Sequence, residues 1–161
     1  MPTESNGSRP IASAFGSVDP APPADDSDVR NLRATLLNGR VSMFERFRAI
    51  FALRSLQNDQ AAIALGDAML TDTSALLRHE CAYVLGQMQR EASIPQLLRA
   101  ALADPNPMVR HEACEALGAI GTDEVIPILE KIGRTDKALE VRQSCEVALA
   151  HIAYLRDSSR F

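Results

Sequence analysis

Two stretches of this chain say the same thing twice. Leu77-Arg-His-Glu-Cys-Ala-Tyr-Val-Leu-Gly86 and Val109-Arg-His-Glu-Ala-Cys-Glu-Ala-Leu-Gly118 are copies of one pattern set 32 residues apart. The frame extends outward, because Arg46, Arg78, Arg110 and Arg142 recur at that spacing, as do Leu53, Leu85, Leu117 and Leu149. Self-similarity at this period is the signature of stacked supersecondary units, none of which can bury its apolar face alone. Only the two central copies carry His-Glu; the outer copies hold Phe47-Arg48 and Gln143-Ser144 at that position.

Each period has room for two helices. Asp28 and Ser42 cap helices over about 29–38, ended by Asn38-Gly39, and about 43–55. Further pairs are expected near 60–70 and 75–89, opened by Ser74, and near 92–103 and 107–120, where Asn106 caps and Pro107 takes the first helical position. Gly121 follows as a stop, and a last pair spans about 124–133 and 138–155. First helices align as well, Ala62 with Ile94 and Ile126, and Leu65 with Leu97 and Leu129. The expected fold is all-α: an α-solenoid of about four HEAT-type helix pairs at 28–57, 58–90, 91–121 and 122–155. Residues 1–27, with Pro2, Pro10, Pro20, Pro22 and Pro23 among small polar residues, read as a disordered tail or linker, and 156–161 as a C-terminal tail.

Composition narrows the function classes. Hydrophobic residues at 46% with 4% aromatic and no Trp imply a core of Ala, Leu, Ile and Val. A net charge of -4, with 17 scattered basic residues, gives no expectation of a nucleic-acid partner. No apolar run approaches the roughly 20 residues of a membrane helix, and the N-terminus lacks a signal-peptide order, so a soluble cytoplasmic protein is expected. Cys81, Cys114 and Cys145 form no Cys-x-x-Cys pair; Cys81 and Cys145 share a repeat position with Ala113, which favours small buried packing residues over reactive thiols.

In a solenoid the second helices of successive repeats lie side by side, about 8–10 Å between axes, so equivalent residues form a row. His79 and His111 are then neighbours that can share one metal, with Glu80 and Glu112 turned about 100° round their helices. Imidazole with carboxylate suits iron, zinc or manganese. Tyr83 and Glu115 follow one turn along, where they can orient a ligand, and Gly86 and Gly118 are expected to clear space at the surface. The residues alone leave a plainer reading open: solvated His-Glu doublets copied by duplication. Arg46, Arg78, Arg110 and Arg142 likewise read as an anion-binding row or as partners of Asp residues in inter-repeat turns, the latter favoured; His151 reads as a surface or packing residue.

Ser74-Ala-Leu-Leu-Arg-His-Glu-Cys-Ala-Tyr-Val-Leu-Gly-Gln-Met-Gln89 and Pro107-Met-Val-Arg-His-Glu-Ala-Cys-Glu-Ala-Leu-Gly-Ala-Ile-Gly121 closely resemble the deoxyhypusine hydroxylase family of HEAT-repeat di-iron monooxygenases. Phe44-Glu-Arg-Phe-Arg-Ala-Ile-Phe-Ala-Leu-Arg54 and Ser17-Val-Asp-Pro-Ala-Pro-Pro23 are similar to it too. The resemblance covers its C-terminal half only. It implies hydroxylation of the deoxyhypusine side chain on a eukaryotic translation factor with O2 and two Fe(II) ions per complete site. By motif position it makes His79, Glu80, His111 and Glu112 iron ligands, with Glu80 and Glu112 the carboxylates bearing on catalysis. Because the family builds its site from two such halves, a homodimer or a separate N-terminal half is implied as partner. The alternative is a catalytically inactive HEAT-repeat binding scaffold, with a bilin-lyase-like HEAT protein a weaker third.

Overall fold

The structure, a computed structural model, describes residues 18–158. Eight α-helices follow in order among them: α1 (Val29–Leu37), α2 (Met43–Leu56), α3 (Asp59–Thr71), α4 (Ala75–Met88), α5 (Ile94–Ala103), α6 (Pro107–Ile120), α7 (Ile126–Thr135) and α8 (Leu139–Ser158). Short 3-10 turns at Glu91–Ser93 and Asp123–Val125 lead into α5 and α7. These occupy the starts of the helices expected from 92 and 124, and α8 runs past residue 155 to Ser158.

Helix boundaries follow from side chains that satisfy the first free N–H groups. Asp28, Ser42, Asn58, Ser74 and Asn106 each accept a backbone N–H one turn in, and Pro107 gives up none. At the other end, Gln57, Gln89 and Gly121 stand at one repeat position and all adopt the left-handed conformation, with φ of 49°, 54° and 69°. Only the third is Gly. The two glutamines occupy a region that costs an L-residue, and each side-chain amide donates to a backbone carbonyl: Gln57 to Arg54 and Gln89 to Ala119.

The helices form two layers. α1, α3, α5 and α7 stack in one, α2, α4, α6 and α8 in the other, and each pair packs across the core. Leu53, Leu65, Leu85, Leu97, Leu117 and Leu129, all repeat positions, are fully buried. All three cysteines are buried and unpaired, as packing residues would be. The second-helix stack is close enough to need glycine. A methyl built on Gly118 would lie 2.5 Å from Ala148 Cβ, and one on Gly86 would lie 3.1 Å from Ala116 Cα. The expectation that these glycines clear surface space is therefore corrected: they let α4, α6 and α8 approach.

An Arg–Asp ladder joins the repeats on another line. Arg78 binds both carboxylate oxygens of Asp104, at 2.8 and 3.1 Å, and Arg110 those of Asp136, at 2.9 and 3.1 Å; Arg46 pairs with Asp72. The same aspartates accept N–H groups of Ser74, Asn106 and Ala138 in the turns. This row is structural, with its carboxylates already supplied. Arg142 bonds only the backbone carbonyl of Asp136 among these contacts, at 2.7 Å.

Residues 18–27, assigned to a tail or linker from sequence, form no helix but lie on α2. Ala21 is buried, Ala24 N–H donates to Arg48 O, and Asp19 pairs with buried Arg54. Residues 1–17 and 159–161 of the expected tails lie outside the described residues. No helix among the described residues is long and apolar enough to cross a membrane.

Candidate metal centre

His79 on α4 and His111 and Glu112 on α6 come together because residues 32 apart stand on adjacent second helices. His79 Nε2 lies 3.1 Å from Glu112 Oε2, and His111 Nε2 lies 3.5 Å from the same oxygen. One ligand atom from each residue falls within 4.8 Å of the other two, a spacing that one metal ion can bridge. Glu112 is buried, with its side chain 10% exposed, while the histidines are half-buried and open on one side.

The register explains the pairing. A residue at the Glu position of one repeat meets the residue at the His position of the repeat before it. Glu112 thus reaches His79. By the same rule Ser144 meets His111, whose Nδ1 it contacts through Oγ, while the first repeat holds Phe47 rather than a histidine at the corresponding position. Ser144 drew notice in the sequence only as part of a copy lacking His-Glu; its spacing from Glu112 was the signal. Glu80 is half-buried and, among the described residues, is not one of the three clustered ligands.

Charge in the site is shared unevenly. The hydrogen bond to Glu112 holds the His79 imidazole above its ordinary pKa against the opposing effect of burial, with the negative charges of Glu112, Glu80 and Glu115 adding to it. Burial pushes the Glu80 carboxyl up, an effect moderated by His79 and Arg54 and reinforced by Glu112 and Asp19. Glu115, exposed on α6, sets Oε1 3.4 Å from His111 Nδ1. Tyr83 turns elsewhere: its hydroxyl accepts from Gln87 Nε2 at 3.3 Å, and Gln87 Oε1 accepts from Arg54 at 2.9 Å, in line with the Asp19 contact. His151 is exposed on α8.

Residues 64–150 match the family model described as HEAT repeats. This chain belongs to the HEAT-repeat family. It is also 54% identical over 147 residues to the deoxyhypusine hydroxylase of Danio rerio, covering 91% of this chain and 48% of that one. Against the deoxyhypusine hydroxylase of Gallus gallus it is 49% identical over 83 residues, 52% of this chain and 27% of that one. The solved structure of human deoxyhypusine hydroxylase in complex with glycerol superposes with a TM-score of 0.87 at 48% identity, covering 92% of this chain and 51% of that chain. The chain spans about half the length, or less, of the curated relatives it matches.

Proposed function

We propose that this chain contributes one half of an iron-dependent deoxyhypusine hydroxylase centre, acting on the deoxyhypusine side chain of a translation factor in the cytoplasm. The observation that carries the reading is the convergence of His79 Nε2 and His111 Nε2 on one Glu112 oxygen. Two neutral imidazoles and a carboxylate with an open side fit an Fe(II) ion that must also admit O2. The relatives' names support the reaction class, and the resemblance to a family that builds its site from two halves supports a need for further donors.

In this reading His79, His111 and Glu112 hold one ion, and the complete site holds two. An ion held there would supply the activation of O2. Everything else falls to the chain. Glu112 sets both imidazoles on one point and neutralises charge there. Glu80, beside the cluster, is available as a ligand of the complete site or as the carboxylate that meets the substrate amine. The further donors come from an N-terminal half, on the same polypeptide or a separate one, or from a second copy.

The test is iron content and hydroxylation together. Replacing His79 and His111 by Ala should abolish Fe(II) binding while leaving helical content intact, because neither side chain belongs to the apolar core. Iron retained at wild-type stoichiometry in the double variant rejects the site. Iron bound, but no hydroxylation with O2 in any assembly state, rejects the enzyme and leaves a metal-binding scaffold.

A further inference from the structure

We infer that Ser144 is a positioning residue for His111, fixing the imidazole as its Nδ1–H tautomer so that Nε2 presents a lone pair to the metal point. The inference rests on the reading of His111 as a ligand, and it assigns a role to α8, which carries neither half of a His-Glu doublet.

A serine hydroxyl has one proton to give and lone pairs to receive with. Ser144 Oγ lies 2.9 Å from the carbonyl oxygen of Glu140, one turn back on α8, and that oxygen can only accept. The single hydroxyl proton is therefore committed. The same Oγ contacts His111 Nδ1, so this contact is satisfied only if Nδ1 carries the hydrogen and Oγ accepts it. A second acceptor points the same way: Glu115 Oε1, which as a carboxylate oxygen donates nothing, lies 3.4 Å from Nδ1. In the neutral ring the remaining nitrogen, Nε2, is then unprotonated; it faces Glu112 Oε2, also an acceptor, at 3.5 Å. The Glu112 and Glu115 contacts thus oppose each other in tautomer choice, a cation at the metal point satisfies the first, and the buried Ser144 contact decides.

Burial gives the contact its weight. Ser144 is 5% exposed, so water does not readily replace the hydroxyl, whereas Glu115 is exposed and its contact is weakened by solvent. A neighbour that holds the far nitrogen of a ligating imidazole both selects the tautomer and fixes the plane of the ring. The fourth repeat thus keeps the register of Glu112 but uses a hydroxyl there, supporting a ligand from behind without adding a second negative charge.

The isosteric pair Ser144→Thr and Ser144→Val tests this, since both add the same bulk and only Thr keeps the hydroxyl. Long-range 15N–1H correlation spectra of the metal-free protein, recorded where the imidazole is neutral, should show His111 as Nδ1–H in wild type and S144T, with a shift toward Nε2–H in S144V. Calorimetric titration with Co(II), and with Fe(II) under anaerobic conditions, should show affinity about 10-fold or more lower for S144V and near wild type for S144T. An Nε2–H tautomer in wild type overturns the inference, as does an S144V protein with unchanged tautomer and affinity. A wild-type protein that keeps the Nδ1–H tautomer yet takes up neither ion overturns the metal reading, and with it the purpose of the contact, while the tautomer itself stands.

Discussion

At the scale of single residues, the two glutamates of the doublets are chemically alike but differently placed. Glu112 is buried and shared between two imidazoles, whereas Glu80 is half-buried and stands outside the three-residue cluster. Removing the charge from Glu112 leaves His79 without the charged acceptor that raises its pKa and, in the proposed reading, weakens a donor at the metal point. Glu112→Gln should therefore lower Fe(II) affinity of the isolated chain by well over the 10-fold typical of an outer contact, and Glu80→Gln should leave it within about 3-fold. Equal losses in titrations of the two variants would show that Glu80 already binds the same ion. The doublets were legible in the sequence because the period puts equal positions on adjacent helices. Which glutamate meets which histidine was not, since that depends on the offset between the helices, a property of packing that no spacing encodes. The same offset hid Ser144.

At the scale of helices, the stack is set by where backbones can approach. Gly86 and Gly118 lie inside α4 and α6, where Gly costs about 1 kcal/mol against Ala, and the neighbouring helix occupies the space a methyl would need. Gly118→Ala should lower stability by about 1–3 kcal/mol despite its better helix propensity, because Ala148 offers a short rigid Cβ rather than a flexible end. Gly86→Ala, with contacts at 3.1 and 3.2 Å, should cost less. Thermal melts giving Gly118→Ala a higher midpoint than wild type would refute this account. The sequence marked both glycines as unusual but could not tell a cleared surface from a tight contact. Helix starts were far more legible, since Ser42, Ser74 and Asn106 each cap where the pattern begins. The starts of α5 and α7 were blurred because their leading 3-10 turns share the helical pattern. The ladder makes a pH prediction. Burial pushes the Asp136 carboxyl up, but the Arg110 hydrogen bond, the Ala138 N–H and the charges of Arg110 and Lys137 outweigh it and leave its pKa below the usual carboxylate range. A lowered folded-state pKa means stability that is fully present above the unfolded carboxylate value, about 3.9, and lost as pH falls through the folded one. Asp136→Asn should cost about 2 kcal/mol at neutral pH, and the gap from wild type in urea melts should close below about pH 4. A gap that stays constant into acid would remove the ion pair from the explanation.

At the scale of the whole molecule, ligand supply and chain length agree. Three clustered side chains have the spacing to hold one ion, the proposed reaction needs two, and the alignments span about half of the Danio rerio and human relatives. In the proposed reading the remaining donors lie outside the three-residue cluster, in a further half of the same polypeptide, a separate half or a second copy. A second copy is the simplest source, since a two-fold pair presents the same face twice. The terminal helix offers apolar surface to such an assembly: on α8, Val147 is 64% exposed, Tyr154 69% and Leu155 51%. The fold itself was readable from the 32-residue frame because each repeat buries the same positions, but assembly was not, because an unpaired repeat end looks the same in sequence whether or not a partner covers it. The expected outcome is that Fe(II) binds to each chain, while hydroxylation of the deoxyhypusine-bearing factor follows the dimer, or the complex with an added N-terminal half, across a sedimentation profile. Diluting the protein below the dimer dissociation constant should then remove activity while each chain keeps its His79–His111–Glu112 ion. Full activity per chain in a strictly monomeric fraction would mean that one copy completes the site, and the requirement for a second surface would fall.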